Sequence, residues 1–102
     1  IACLQLARQY NSPILYCISN NNRHNAVRGG LMRYGAEGYS AMSDYNGSTI
    51  APSPDFAGIA RSVGAYGEKV TQPDQVEPAL QRALAALKGG QAAVLDFVTV
   101  EE

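Results

Sequence analysis

The first ten residues, Ile1–Tyr10, are apolar or small apart from a narrow polar stripe, Gln5, Arg8 and Gln9, spaced i, i+3, i+4. The spacing predicts a helix with so little polar surface that it wants neighbours on most sides. Because the chain opens inside this pattern, at Ile1, we expect an upstream portion of the protein to precede it. Asn11-Ser12-Pro13 stops the helix, since proline cannot continue it. Ile14–Ile18 is then an uninterrupted apolar run, which predicts a strand covered on both faces, as in a parallel sheet. The polar stretch Ser19–Arg23 reads as a turn. Beyond it Ala26, Val27, Leu31 and Met32 mark a short helix, weakened by Gly29 and Gly30.

Tyr34 to Ser53 has little periodicity and carries Gly35, Gly38, Gly47 and Pro52, so it reads as a long loop. Tyr34, Tyr39 and Tyr45 in it would either form a lid or pack as ordinary loop aromatics. Ser53-Pro54-Asp55 predicts a helix start with Ser53 as cap and Pro54 in the first turn. Phe56, Ile59, Ala60 and Val63 give that helix its buried face and Gly64 its stop. Tyr66–Val70 is a short strand. Thr71-Gln72-Pro73-Asp74 opens a last helix with Val76, Leu80, Ala83, Leu84 and Leu87 on one side, ended by Gly89-Gly90. Ala92–Val98 is a second nearly continuous apolar strand, interrupted only by Asp96, which we read as a buried hydrogen-bonded carboxylate or a register irregularity. The order of elements predicts an α/β fold, a three-layer α/β/α arrangement around a parallel sheet.

Composition agrees with a packed domain. Of 102 residues, 46% are hydrophobic and 17% charged, and the net charge is −1. Lys and Arg are scattered, so no basic stripe points to nucleic acid. No apolar run reaches the ~20 residues of a membrane helix. No signal-peptide pattern opens the chain. Cys3 and Cys17 form neither a CxxC pair nor a metal spacing and read as buried thiols in a reducing, cytoplasmic setting.

The chemistry is concentrated in Ile14 to Arg28. A strand ends in consecutive asparagines and a helix begins a few residues later. In open α/β sheets ligands bind beyond the carboxyl ends of strands. A helix N-terminus there offers unshared N–H groups and a positive dipole end that suit phosphate. An asparagine oxygen is a hard ligand suited to Mg²⁺ held partly by phosphates. On residue types alone, a turn with helix-capping asparagines explains the same pattern.

The stretch Pro13-Ile-Leu-Tyr-Cys-Ile-Ser-Asn-Asn-Asn-Arg-His-Asn-Ala-Val-Arg28 resembles the second half of the thiamine-diphosphate motif, which begins with Gly-Asp-Gly and ends in Asn-Asn after an apolar strand. Pro54–Gly67 and Ala93-Val-Leu-Asp-Phe-Val98 resemble later segments of the same family, nearest to its acetolactate-synthase-like and benzoylformate-decarboxylase-like members. The resemblance implies the last three strands of a thiamine-diphosphate-binding fold, with Ala92–Val98 between the other two. It implies thiamine diphosphate and Mg²⁺ as cofactors, a 2-oxo acid as substrate, and decarboxylation, carboligation or both. It also implies that the remainder of the same enzyme, assembled as a homodimer or homotetramer, is the partner.

By position, Asn21 would ligate Mg²⁺ through its side-chain oxygen and Arg23 through its carbonyl. The amides of His24 and Asn25 would face the diphosphate, and Ala26 and Val27 would lie near the cofactor. Asn20 would shape the turn. His24, the single histidine, would contact phosphate or solvent rather than act as an acid or base. Gly-Asp-Gly is absent, as is the glutamate that the family uses on the aminopyrimidine ring. The alternative reading is a non-catalytic, flavodoxin-like α/β binding module.

Overall fold

The computed structural model describes residues 1–35, 37–38, 42–43, 45 and 47–99. They form two compact units, one of Ile1–Asn21 with Pro54–Glu102 and the other of Asn22–Ser53.

The first unit is built on three parallel strands, β1 (Leu15–Asn20), β2 (Tyr66–Val70) and β3 (Ala93–Val98), in the order β1-β3-β2. The order and the parallel pairing match those expected from the sequence. Helices α1 (Ala2–Gln9) and α3 (Phe56–Ser62) cover one face. Helix α4 (Val76–Lys88) covers the other, giving three layers. Helix α2 (Asn25–Tyr34) belongs to the second unit.

Alternation along β3 decides which residue meets which layer. Ala93 and Leu95 pack with Val70, Ala79 and Ala83 beneath α4, while Val94 packs with Leu4, Ala7 and Ala60 on the opposite face. Such a strand has no solvent side, which is why Ala92–Leu95 is an apolar run. The sheet is closed most tightly at Gly67. A Cβ there would lie 2.2 Å from the carbonyl oxygen of Ala57, so the backbone of α3 rests directly on β2.

Local signals set the boundaries. The α3 cap is Asp55, whose Oδ1 accepts from Gly58 N–H at 2.8 Å, rather than Ser53. The helix therefore begins at Phe56, two residues beyond Pro54. Gly64 ends its turn at φ +81°, a left-handed conformation that glycine adopts at no steric cost. Before α4, Gln72 and Gln75 form a reciprocal capping box around a 3₁₀ turn, Pro73–Gln75.

Two expectations about β1 are corrected. Tyr16 and Cys17 are exposed, because among the described residues β1 pairs only with β3 and stands at the sheet edge. Cys3 of α1, beside Tyr16, is exposed as well, so neither thiol is buried. Leu6 and Tyr10 of α1 are exposed too, and a groove of about 310 Å³ between α1 and α3 is lined by Leu4, Tyr16, Ile18, Phe56, Ile59 and Val94.

Edge strand β2 is tied to α4 by charge. Arg82 donates to Glu68 from Nε at 3.0 Å and from Nη2 at 2.5 Å, and the Tyr66 hydroxyl donates to the same carboxylate. The Arg82 guanidinium holds the Glu68 carboxyl below the usual carboxylate range, and burial pushes the Tyr66 phenol up.

Two outcomes follow from this packing. Gly67→Ala should destabilise the chain by ~1–3 kcal/mol through overpacking. Gly29→Ala, in a helix and with open space around the new methyl, should stabilise α2 by ~0.5–1 kcal/mol. Urea midpoints check the first and far-ultraviolet helicity the second; an unchanged midpoint for Gly67→Ala refutes the close approach. For Glu68, a depressed folded value means stability present above the ordinary carboxylate value and lost as pH falls through the depressed one. Glu68→Gln should therefore lower the urea midpoint more at about pH 7 than at about pH 3. Equal losses at both would show that the ion pair contributes nothing.

Candidate functional site

At the carboxyl end of β1, Asn20 is buried and its carbonyl accepts from Thr99 N–H at 2.9 Å, which carries the β1–β3 ladder to its last rung. Asn21 follows and closes the first unit. Asn22 turns the chain at φ +54°, a left-handed conformation that asparagine tolerates better than most residues.

In the second unit, residues 22 to 24 are held by an antiparallel strap. Ile50 N–H donates to Asn22 O at 2.8 Å, His24 N–H donates to Ser48 O at 2.8 Å, and Arg23 bridges Thr49 between them. His24 is the N-cap of α2 without a side-chain cap, and its carbonyl receives the first intrahelical bond, from Arg28 N–H at 2.9 Å. The amides of Asn25, Ala26 and Val27 therefore start the helix with no intrahelical acceptor. All three residues are exposed, so the positive end of α2 is presented by backbone rather than by a capping oxygen. The amide of His24 is committed to Ser48.

Ser48 is the residue that reading the sequence missed. It is almost fully buried, accepts from His24, and its Oγ lies 3.4 Å from Arg28 Nη1. The Arg28 guanidinium also lies over the Tyr45 ring, 4.9 Å from its centroid. The segment around Thr49-Ile50, assigned to a long loop, is thus partly a strap. The β-branched pair Thr49-Ile50 was the signal available for it. Tyr45 packs against α2, Tyr34 is exposed, and Tyr39 lies outside the described residues.

The six candidate positions divide at the turn. Asn21 ends one unit and Arg23, His24, Asn25, Ala26 and Val27 open the other, joined by Asn22. Among the described residues no group of three His, Cys, Asp or Glu could hold a metal. Asp96, at 0% exposure, keeps regular register opposite Ile18 and Lys69. Neither carboxylate oxygen makes a hydrogen bond among the described residues, so the expected hydrogen-bonded carboxylate is not what stands there.

An asparagine turn at the end of a parallel strand, followed at once by an open helix N-terminus, coincides with a match over residues 1–97 to the family described as thiamine pyrophosphate enzyme, C-terminal TPP binding domain. The chain belongs to that family. It is 32% identical over 95 residues to a sulfoacetaldehyde acetyltransferase of Castellaniella defragrans, covering 89% of this chain and 16% of that protein. It is 30% identical over 95 residues to an acetolactate synthase large subunit of Buchnera aphidicola subsp. Acyrthosiphon pisum (strain APS), covering 91% of this chain and 15% of that one. The chain thus spans about a sixth of the length of the curated relatives it matches. Between the two readings of the sequence, the match favours the thiamine pyrophosphate enzymes over an unrelated flavodoxin-like module.

The turn makes its own prediction. Asn22→Val places a β-branched residue in the left-handed region, at a cost of ~1–2 kcal/mol, and Asn22→Gly removes that cost. Hydrogen exchange at the His24 and Ile50 amides should be roughly tenfold faster in the valine variant and unchanged in the glycine variant. Equal exchange in both variants would show that Asn22 carries no conformational load.

Proposed function

We propose that this chain is the diphosphate-anchoring part of a thiamine-diphosphate- and Mg²⁺-dependent enzyme that acts on 2-oxo acids by decarboxylation, carboligation or both. The observation that carries the reading is the start of α2, whose first amides have no side-chain cap, a few residues along the chain from the strand end at Asn20. Membership of the family supports the choice of cofactor.

In this reading Asn21 gives its side-chain oxygen and Arg23 its carbonyl to Mg²⁺. The metal's remaining positions are left to phosphate, water and the rest of the protein, in keeping with the few protein ligands that Mg²⁺ commonly takes. The amides of Asn25, Ala26 and Val27 receive the diphosphate at the positive end of α2. The amide of His24 joins them only by giving up Ser48, so the load falls on the later three. The bound cofactor supplies the electron sink for the chemistry at the 2-oxo carbon. None of the six residues is assigned an acid or base role.

The remainder of the same enzyme, as a homodimer or homotetramer in the cytoplasm, supplies the other half of the motif and the groups around the cofactor ring. The exposed apolar side chains of α1, and an edge of β1 that pairs with no strand among the described residues, support the view that more protein packs on the first unit.

The test is a titration of complete enzyme with Mg²⁺ and thiamine diphosphate. Asn21→Ala deletes an oxygen ligand and little apolar surface, so the fold should persist while the cofactor concentration for half-activation rises at least ~10–100-fold, the range seen for weaker, outer-shell changes. His24→Ala should change it far less. Saturation of Asn21→Ala at the wild-type concentration would reduce Asn21 to a turn residue. Loss of turnover in His24→Ala at unchanged cofactor affinity would make the imidazole a catalyst.

A further inference from the structure

Asp96 is the buried ionisable residue that the proposed function does not use. It lies in the central strand with 0% exposure, and its two oxygens have no hydrogen-bond partner among the described residues. A buried carboxylate without a donor is costly and persists only where a partner is supplied.

The register places one side-chain donor directly beside it. Lys69 of β2 and Ile18 of β1 are the Cα partners of Asp96 on its two sides. Tyr66 packs in the α4 cluster and Glu68 bonds Arg82 of α4, so Gly67 and Lys69 point to the other face of the sheet. The close approach of Gly67 to Ala57 of α3 confirms that direction. Ala93 and Leu95 also face α4, which puts Asp96 on the α1/α3 face with Lys69. Adjacent strands lie about 4.8 Å apart, well within the reach of a lysine side chain.

The other charged groups of the α1 and α3 layer are engaged or distant. Arg61 donates to Gly67 O at 2.8 Å and lies 3.6 Å from Asp55. Arg8 lines a cavity with Gly64 and Gly90, at the opposite end of the strands. Lys69 itself is exposed and makes no ion pair among the described residues.

We infer that Lys69 and Asp96 are the two halves of an ion pair in the complete enzyme. The pair then fastens β2 to β3 near the strand ends from which the asparagine turn departs. The inference rests on the reading that this chain is one part of a larger thiamine-diphosphate enzyme.

The experiment is a double-mutant cycle in the complete enzyme, with Lys69→Met, Asp96→Asn and the double variant compared by apparent Tm. Each single change should lower Tm by a few degrees, and the double should lower it no more than the worse single, since contacting residues do not add. Lys69→Arg should retain most of the wild-type value. Additive losses, or an unchanged Tm for Lys69→Met, would overturn the pair. Acylation of lysines with an amine-reactive ester, read by peptide mass, decides the matter if Asp96→Asn fails to fold. In the wild type, Lys69 should react at least about tenfold more slowly than exposed Lys88, and equal rates would sink the proposal. Cofactor titration enters neither readout, so failure of the Asn21 assignment is seen separately from failure of this one.

Discussion

The β1–β3 ladder is the constraint on which the rest of the first unit depends. It runs without a bulge from Leu15 opposite Ala93 to Asn20 opposite Val98, and one further bond joins Thr99 N–H to Asn20 O. A shift of one residue would send Val94 and Asp96 to the α4 face and move Ala93 and Leu95 away from it. Register is thus fixed by packing on both faces. Its consequence is positional: the chain leaves the sheet at Asn20, beside the end of the central strand, where α/β sheets place their ligands.

Within the second unit, the left-handed Asn22 and the strap at 48–50 lead into α2. Backbone bonds do most of this work, through Ser48 O and the Ile50 amide. The side chains from His24 to Val27 are consequently exposed rather than recruited to packing. The helix start thus stays open while the peptides before it are held by backbone bonds.

Much of this was legible in the sequence because the first unit obeys simple periodicity. The two apolar runs became β1 and β3, and the Phe56/Ile59/Ala60/Val63 and Val76/Leu80/Ala83/Leu87 patterns became α3 and α4. Cap choice was less legible. Ser53 and Asp55 are both good N-caps, and only Asp55 sits three residues before an amide it can reach, that of Gly58. The exposure of Cys3, Tyr16 and Cys17 could not be read from an apolar run, since the run reports what a strand is suited to and not which neighbours the described chain supplies. The strap was illegible for a related reason. A single bridge between Arg23 and Thr49, far apart in sequence, leaves no alternating pattern to detect.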